Sequence, residues 1–214
     1  MRNAGESTVS IYGLGIGLRI PGIQGGISMG HHRILGTTID FITGKEITDT
    51  DDERIRQKIA RFLVNELGYD KDDIEVKPTL ELVCGDEKAT AVIDFIVKLN
   101  GRRVMLIKYG PGSIVSRERV VLAAARVMDE YTIPIAVITN GSEGEVLDVE
   151  SGKVIGTGLE SVPTKKELLE FIKKCEFKKL PEKRKEIERR FLFVYEAIEH
   201  SSECDDEFCI TKVG

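Results

Sequence analysis

Ile55, Ile59, Phe62, Leu63 and Leu67 recur at the three-and-four spacing of a helix with one buried stripe, and Gly68 ends the run. Ahead of it, Thr50-Asp51-Asp52-Glu53 reads as a capping box, in which the Thr hydroxyl and the Glu carboxylate each satisfy a free amide of the first turn. The period then shortens to two. Ile74, Val76, Leu80, Leu82 and Cys84 alternate with Glu75, Lys77, Thr79 and Glu81, which predicts a strand with one polar face. Pro78 inside it cannot donate to a ladder, so this strand belongs at the sheet margin. Gly85 to Lys88 makes the turn into a second strand, Thr90 to Leu99, apolar at Ala91, Ile93, Phe95, Val97 and Leu99, with Asp94 in the middle of its mixed face. A third strand, Arg103 to Tyr109, sets Met105 and Ile107 on one face and Val104, Leu106 and Lys108 on the other.

Register at Asn100-Gly101 decides what meets across the second and third strands. A two-residue turn pairs Leu99 with Arg102 and puts Asp94 and Lys108 on opposite faces. A three-residue loop pairs Leu99 with Arg103, aligns the apolar faces and sets Asp94 opposite Lys108, because a one-residue slip reverses every side chain. Agreement of the apolar faces favours the longer loop. By the same alignment of apolar faces, Glu81 on the first strand falls near Val92, on the side of Asp94.

Val115 to Tyr131 reads as an Ala-rich helix buried along Val120, Ala124, Val127 and Met128. Ile133 to Thr139 is continuously apolar, which predicts a buried strand reached by a crossover, closed by Asn140-Gly141. Glu145 to Ile155 forms a hairpin turning at Glu150 to Lys153, Thr164 caps a helix to Cys175, and Pro181 suits the first position of another running to about His200.

A length of 214 residues suits one domain with appendages. Nine glycines in residues 1–36 mark a loose extension, taken to residue 44; its Gly13, Gly15 and Gly17 lack the spacing and following helix of a nucleotide-binding loop. The net charge of −5 gives no overall pull toward nucleic acid, so any contact with DNA must come from local Lys and Arg. Nine Lys or Arg against four Glu between Lys173 and Arg190 read first as a solvated helix face with Glu–Lys pairs, and second as a phosphate-facing patch. Cys84, Cys175, Cys204 and Cys209 are too scattered for a disulfide framework, and no run of eighteen apolar residues is present; a cytoplasmic protein without membrane association is expected. Neither His31-His32 nor Cys204 with Cys209 has the spacing of a zinc site.

Two acids and a lysine on neighbouring strands form a chemically sensible set, since phosphodiester hydrolysis at neutral pH needs an electrophile near the phosphate and an activated water. The larger order strengthens it. Helix, three antiparallel strands, helix and buried strand is the order of the restriction-endonuclease-like, PD-(D/E)XK, core. The chain resembles in particular the N-terminal nuclease domain of type I restriction enzyme R subunits, through ERIRQKIARFLVNELGY, VIDFIV, RRVMLIKYG and IPIAVITNG, over roughly residues 45–160.

That resemblance implies an α/β fold with a mixed sheet flanked by helices, followed by a helical appendage from 161 to 214. It implies DNA as partner, Mg2+ as cofactor, Asp94 as metal ligand, Lys108 steadying the water or developing charge, and Glu53 as a helix acid. The acid two residues before the lysine falls on Leu106, which cannot ligate a metal, and a Gln common in the R-subunit branch falls near Ala123. Glu81 is then the candidate for a relocated metal ligand. The expectation is a nuclease-like, DNA-related protein of weak or absent hydrolytic activity. The alternative is a catalytically dead fold kept as a binding or assembly module, with a partner meeting the basic stretch or the C-terminal helix near Phe191, Phe193, Val194 and Tyr195.

Overall fold

In the computed structural model, which describes residues 33–203 and their side chains as far as residue 196, the chain enters through a hairpin that the periodicity does not announce. Strand β1 (Ile34–Ile39) pairs antiparallel with β2 (Glu46–Thr50). The Asp40 carboxylate ties the turn by accepting from the Thr43 amide at 2.6 Å and hydroxyl at 2.7 Å. Thr50 then caps helix α1 (Asp51–Asn65) as its sequence predicts, accepting from the Glu53 amide at 3.1 Å. Residues 1–32, with their glycines and His31-His32, and Cys204 and Cys209 lie outside the described residues.

The alternating run after α1 is two strands, not one. β3 (Ile74–Val76) ends where Pro78 removes a donor, and Lys77 turns the chain at φ +50° before β4 (Thr79–Cys84) begins. The expected second strand breaks at the same level, into β5 (Glu87–Val92) and β6 (Phe95–Leu99). The two breaks hold each other: the Lys77 amide donates to the Asp94 carbonyl and the Ile93 amide to the Pro78 carbonyl, both at 3.0 Å. As a result β4 and β5 leave the main sheet as a separate two-stranded ribbon, while β3 stays at the sheet edge.

β6 joins β7 (Arg102–Tyr109) through a two-residue turn, with Asn100 at φ +52° and Gly101 at φ +75°, the left-handed pair that a tight hairpin requires. Leu99 therefore faces Arg102, not Arg103 as the apolar pattern suggests. A bulge corrects the phase. Lys98 pairs with Arg103 but Val97 pairs with Met105, so Val104 is the extra residue and joins the core beside Met105 and Ile107. Phe95 then pairs with Ile107, and the same count carries Asp94 to the level of Lys108.

A crossover through α2 (Glu118–Val127) returns the chain to β8 (Ile135–Thr139), parallel to β7 and buried at every position. The hairpin of β9 (Gly144–Asp148) and β10 (Lys153–Thr157), then α3 (Lys165–Ile172) and α4 (Glu182–Glu203), complete the fold. The six-stranded mixed sheet runs β10-β9-β8-β7-β6-β3. This is the α/β architecture expected, a mixed sheet with helices and a C-terminal helix.

Strand alternation divides the core in two. Phe95, Val97, Met105, Ile107, Ile135 and Val137 pack with α1 and α3. Ile96, Leu106, Ala136, Ile138 and Leu147 pack with α2 and with Leu192 and Phe193 of α4, which also covers Leu82 and Ala91 of the ribbon. Paired residues populate the basic stretch: Lys173 meets Glu170, Lys178 meets Glu150, Lys179 meets Glu130, and Arg190 meets Glu186. Among the described residues no helix is long and apolar enough to cross a membrane.

Candidate functional site

Asp94 sits where the chain leaves the sheet, and the geometry of that break puts its carboxylate among donors. Oδ2 accepts from the Tyr109 amide at 2.7 Å, and Oδ1 lies 3.5 Å from the Arg56 guanidinium. Burial raises its pKa above the usual aspartate value, and this prevails over the opposing pull of Lys108, Arg56, the Tyr109 amide and Lys77. Lys108, on the neighbouring strand, donates to the Val92 carbonyl at 3.1 Å and has only 11% of its side chain exposed.

Glu53 closes the third corner. The Thr50 half of the expected capping box forms, but the Glu53 carboxylate is turned to other partners: Lys77 Nζ at 2.8 Å, Arg56 at 3.0 and 3.1 Å, and Gln57 at 3.0 Å. Burial pushes its pKa up, yet the bonds from Lys77 and Gln57 and the Arg56 and Lys77 charges outweigh burial and hold it below the usual glutamate value. Gln57 extends the network to Asp40 at 2.7 Å, and the Tyr109 hydroxyl donates to Asp52 at 2.9 Å. Burial together with Asp52 pushes that hydroxyl's pKa up to about 12.

Of the four residues singled out from the sequence, Asp94, Lys108 and Glu53 converge, with Arg56 shared by the two acids. Glu81 does not join them. It pairs with Thr90 on the ribbon and is exposed, because the breaks at Lys77-Pro78 and Ile93-Asp94 carry β4 and β5 out of the sheet that holds Asp94. Arg56, Lys77 and Tyr109 were not foreseen. Arg56 stands three residues after Glu53 on α1, and Lys77 precedes a proline in mid-pattern; these were the available signals.

Leu106 is fully buried in the core shared with α2, and Ala123 is fully buried on α2 itself. Where the resemblance puts an acid and a Gln, this chain has packed interior. Among the described residues no group of three His, Cys, Asp or Glu side chains is placed to hold a metal ion. The oxygens of Asp94 and Glu53 face Arg56, Lys77, Gln57 and the Tyr109 amide. This donor set does not fit the Mg2+ that the resemblance implies, since a hard dication needs several oxygen ligands not already neutralised by ammonium and guanidinium groups.

Comparison with curated proteins and with solved structures gave no match. A family model does match: residues 51–163 correspond to the family described as Type I restriction enzyme R protein N terminus (HSDR_N). The matched span opens on the first residue of α1, takes in Glu53, Arg56, Lys77, Asp94 and Lys108, and stops before α3. With more than half of its length inside that match, the chain belongs to the family of type I restriction enzyme R protein N-terminal domains.

Proposed function

We propose that this chain is a DNA-related module of nuclease fold that meets the nucleic-acid backbone with Lys77, Arg56 and Lys108 and cleaves it weakly or not at all. One observation carries the reading: the acid position of the motif is Leu106, fully buried in the core, while the two remaining acids are paired with side-chain cations. Without a free carboxylate set there is no ready electrophile for the phosphate and no lowering of a bound water's pKa. The cations are what is left to act. Lys77 is 44% exposed and Arg56 20%, so both reach solvent from a site whose acids are buried. Contacts of this kind hold a phosphate backbone without reading its sequence.

The test is a cleavage time course on single- and double-stranded DNA with Mg2+ or Mn2+, run on the wild type, Asp94→Asn and Leu106→Glu beside a binding titration at several salt concentrations. The expected result is salt-sensitive binding and no cleavage by the wild type, with Leu106→Glu gaining cleavage. Wild-type cleavage at least as fast as that of Leu106→Glu, vanishing in Asp94→Asn, overturns the reading of weak or absent activity and makes Glu53 and Glu81 the next acids to replace. Salt-insensitive or absent binding overturns the role given to the cations.

A further inference from the structure

α4 lies beyond the family-matched span, yet it turns two buried carboxylates toward the core. Glu188, Leu192 and Glu196 follow one another at four-residue steps and so share one helical stripe. All three are buried. Glu188 is gripped by Arg119 at 2.5 Å, Arg126 at 3.1 Å and Arg184 at 3.2 Å, the first two from α2. Leu192 packs in the core, and Glu196, about 12 Å along the helix axis from Glu188, brings Oε1 to 3.9 Å from the Lys108 ammonium.

A lysine ammonium this enclosed requires an opposing charge nearby, or the fold must bear the cost of burying it alone. Asp94 supplies part of that charge, but its oxygens already face the Tyr109 amide and Arg56. Leu106, two residues before Lys108 on the same face, supplies none. The Val92 carbonyl takes one hydrogen bond.

We propose that Glu196 is a positioning residue of the candidate site, holding the Lys108 ammonium from a helix outside the family-matched core. The pairing is electrostatic at this distance, not a hydrogen bond, and it gives Lys108 the carboxylate neighbour that Leu106 does not provide. It rests on the reading of Lys108 as a site residue. The lock at Glu188 sets the register of α4 on α2, and through that register the height of Glu196 over β7. Lys108 is thereby oriented by two elements at once: its own strand, and a helix whose placement is decided two turns away.

The test uses the full chain labelled with 15N at lysine. The Lys108 ammonium resonance is assigned by its loss in Lys108→Met, then followed in Glu196→Gln, and thermal unfolding is measured for both single variants and the double variant. The expected result is a Lys108 resonance that shifts or disappears in Glu196→Gln with the other lysine signals unmoved. The midpoint of Glu196→Gln falls by roughly 6 °C or more and recovers in part when Lys108→Met is added, since removing both charges costs less than removing one. An unmoved Lys108 resonance, or losses that simply add, overturns the pairing. If Glu196→Gln does not fold, the double variant decides: folding supports the pairing and failure to fold overturns it. DNA affinity of Lys108→Met judges the underlying reading separately. A value equal to wild type overturns Lys108 as a backbone contact, whatever the coupling to Glu196.

Discussion

Two of this fold's charge clusters are centred on buried acids, and they are built on opposite plans. At the α2–α4 contact one fully buried acid, Glu188, gathers three arginines. At the break in the sheet two acids, Glu53 and Asp94, share Arg56, with Lys77 on one and Lys108 near the other. The first cluster gathers its cations on a single acid and ties two helices, with Arg184 54% and Arg119 39% exposed at its rim. The second leaves a lysine 44% exposed at its mouth and holds a carboxyl whose pKa is raised beside one whose pKa is lowered. Neither paired charge nor exposure therefore says much about role; what marks the second cluster is that it holds two acids whose titration is shifted in opposite directions.

Substitution should separate the two. The largest effect is expected from Glu188→Gln, which leaves three guanidinium groups around a neutral side chain: a loss of about 3–5 kcal/mol in chemical denaturation, with DNA affinity of the folded fraction unchanged. A change of affinity there would make the two clusters one. Leu106→Glu comes next, lowering stability by roughly 1–3 kcal/mol as a carboxyl enters packed core. Its melting point should rise on adding Mn2+, a response absent from wild type and from Leu106→Glu combined with Asp94→Asn.

Smaller and opposite effects distinguish the two acids of the site. Because the folded Asp94 carboxyl titrates above its unfolded value, the folded state holds its proton longer, and this contribution to stability is lost as pH rises past the ordinary aspartate range. Because Glu53 titrates below its unfolded value, its contribution is present above the ordinary glutamate range and is lost as pH falls. Urea denaturation across pH should show Asp94→Asn removing the first slope and Glu53→Gln the second; equal profiles in the two variants would dissolve the contrast. The smallest stability effect is expected from Lys77→Ala, within about 1 kcal/mol, because Lys77 is half exposed and Arg56 and Gln57 stay on the Glu53 carboxylate. That variant should nonetheless weaken DNA binding and reduce the salt slope by about 1, read from titrations at several ionic strengths.

Much of this was legible from period alone, because α1, β7 and β8 are each governed by local pattern and one buried environment. The ribbon was not. Alternation runs unbroken from Ile74 to Cys84 and from Thr90 to Leu99, and nothing in a period-two pattern says that the two halves of a strand serve different sheets. Pro78 marked an irregularity but was compatible with an edge, and β3 is indeed at one; only the partner break at Ile93-Asp94 turns it into an exit. Glu81 was misplaced for that reason alone. Asp94 and Lys108 were legible as a level pair, although the loop inferred for them was one residue too long. Glu53 was visible as a capping residue and not as a buried acid, since its partner Lys77 is 24 residues away and arrives only by folding. The hairpin of β1 and β2 is short and mostly exposed, so burial imposes little pattern on it.

The turn at Asn100-Gly101 and the bulge at Val104 can be restated as a matter of parity. Each shifts the count between β6 and β7 by one, and an even number of such shifts leaves the facing of side chains intact. Were Val104 to pair with Val97 in a ladder without the bulge, Ile107 would come opposite Asp94 and Lys108 would turn to the other side of the sheet. Deleting Val104 instead removes the extra residue itself and leaves Asp94 level with Lys108. The site therefore depends on Val104 staying out of the ladder, not on its presence in the chain.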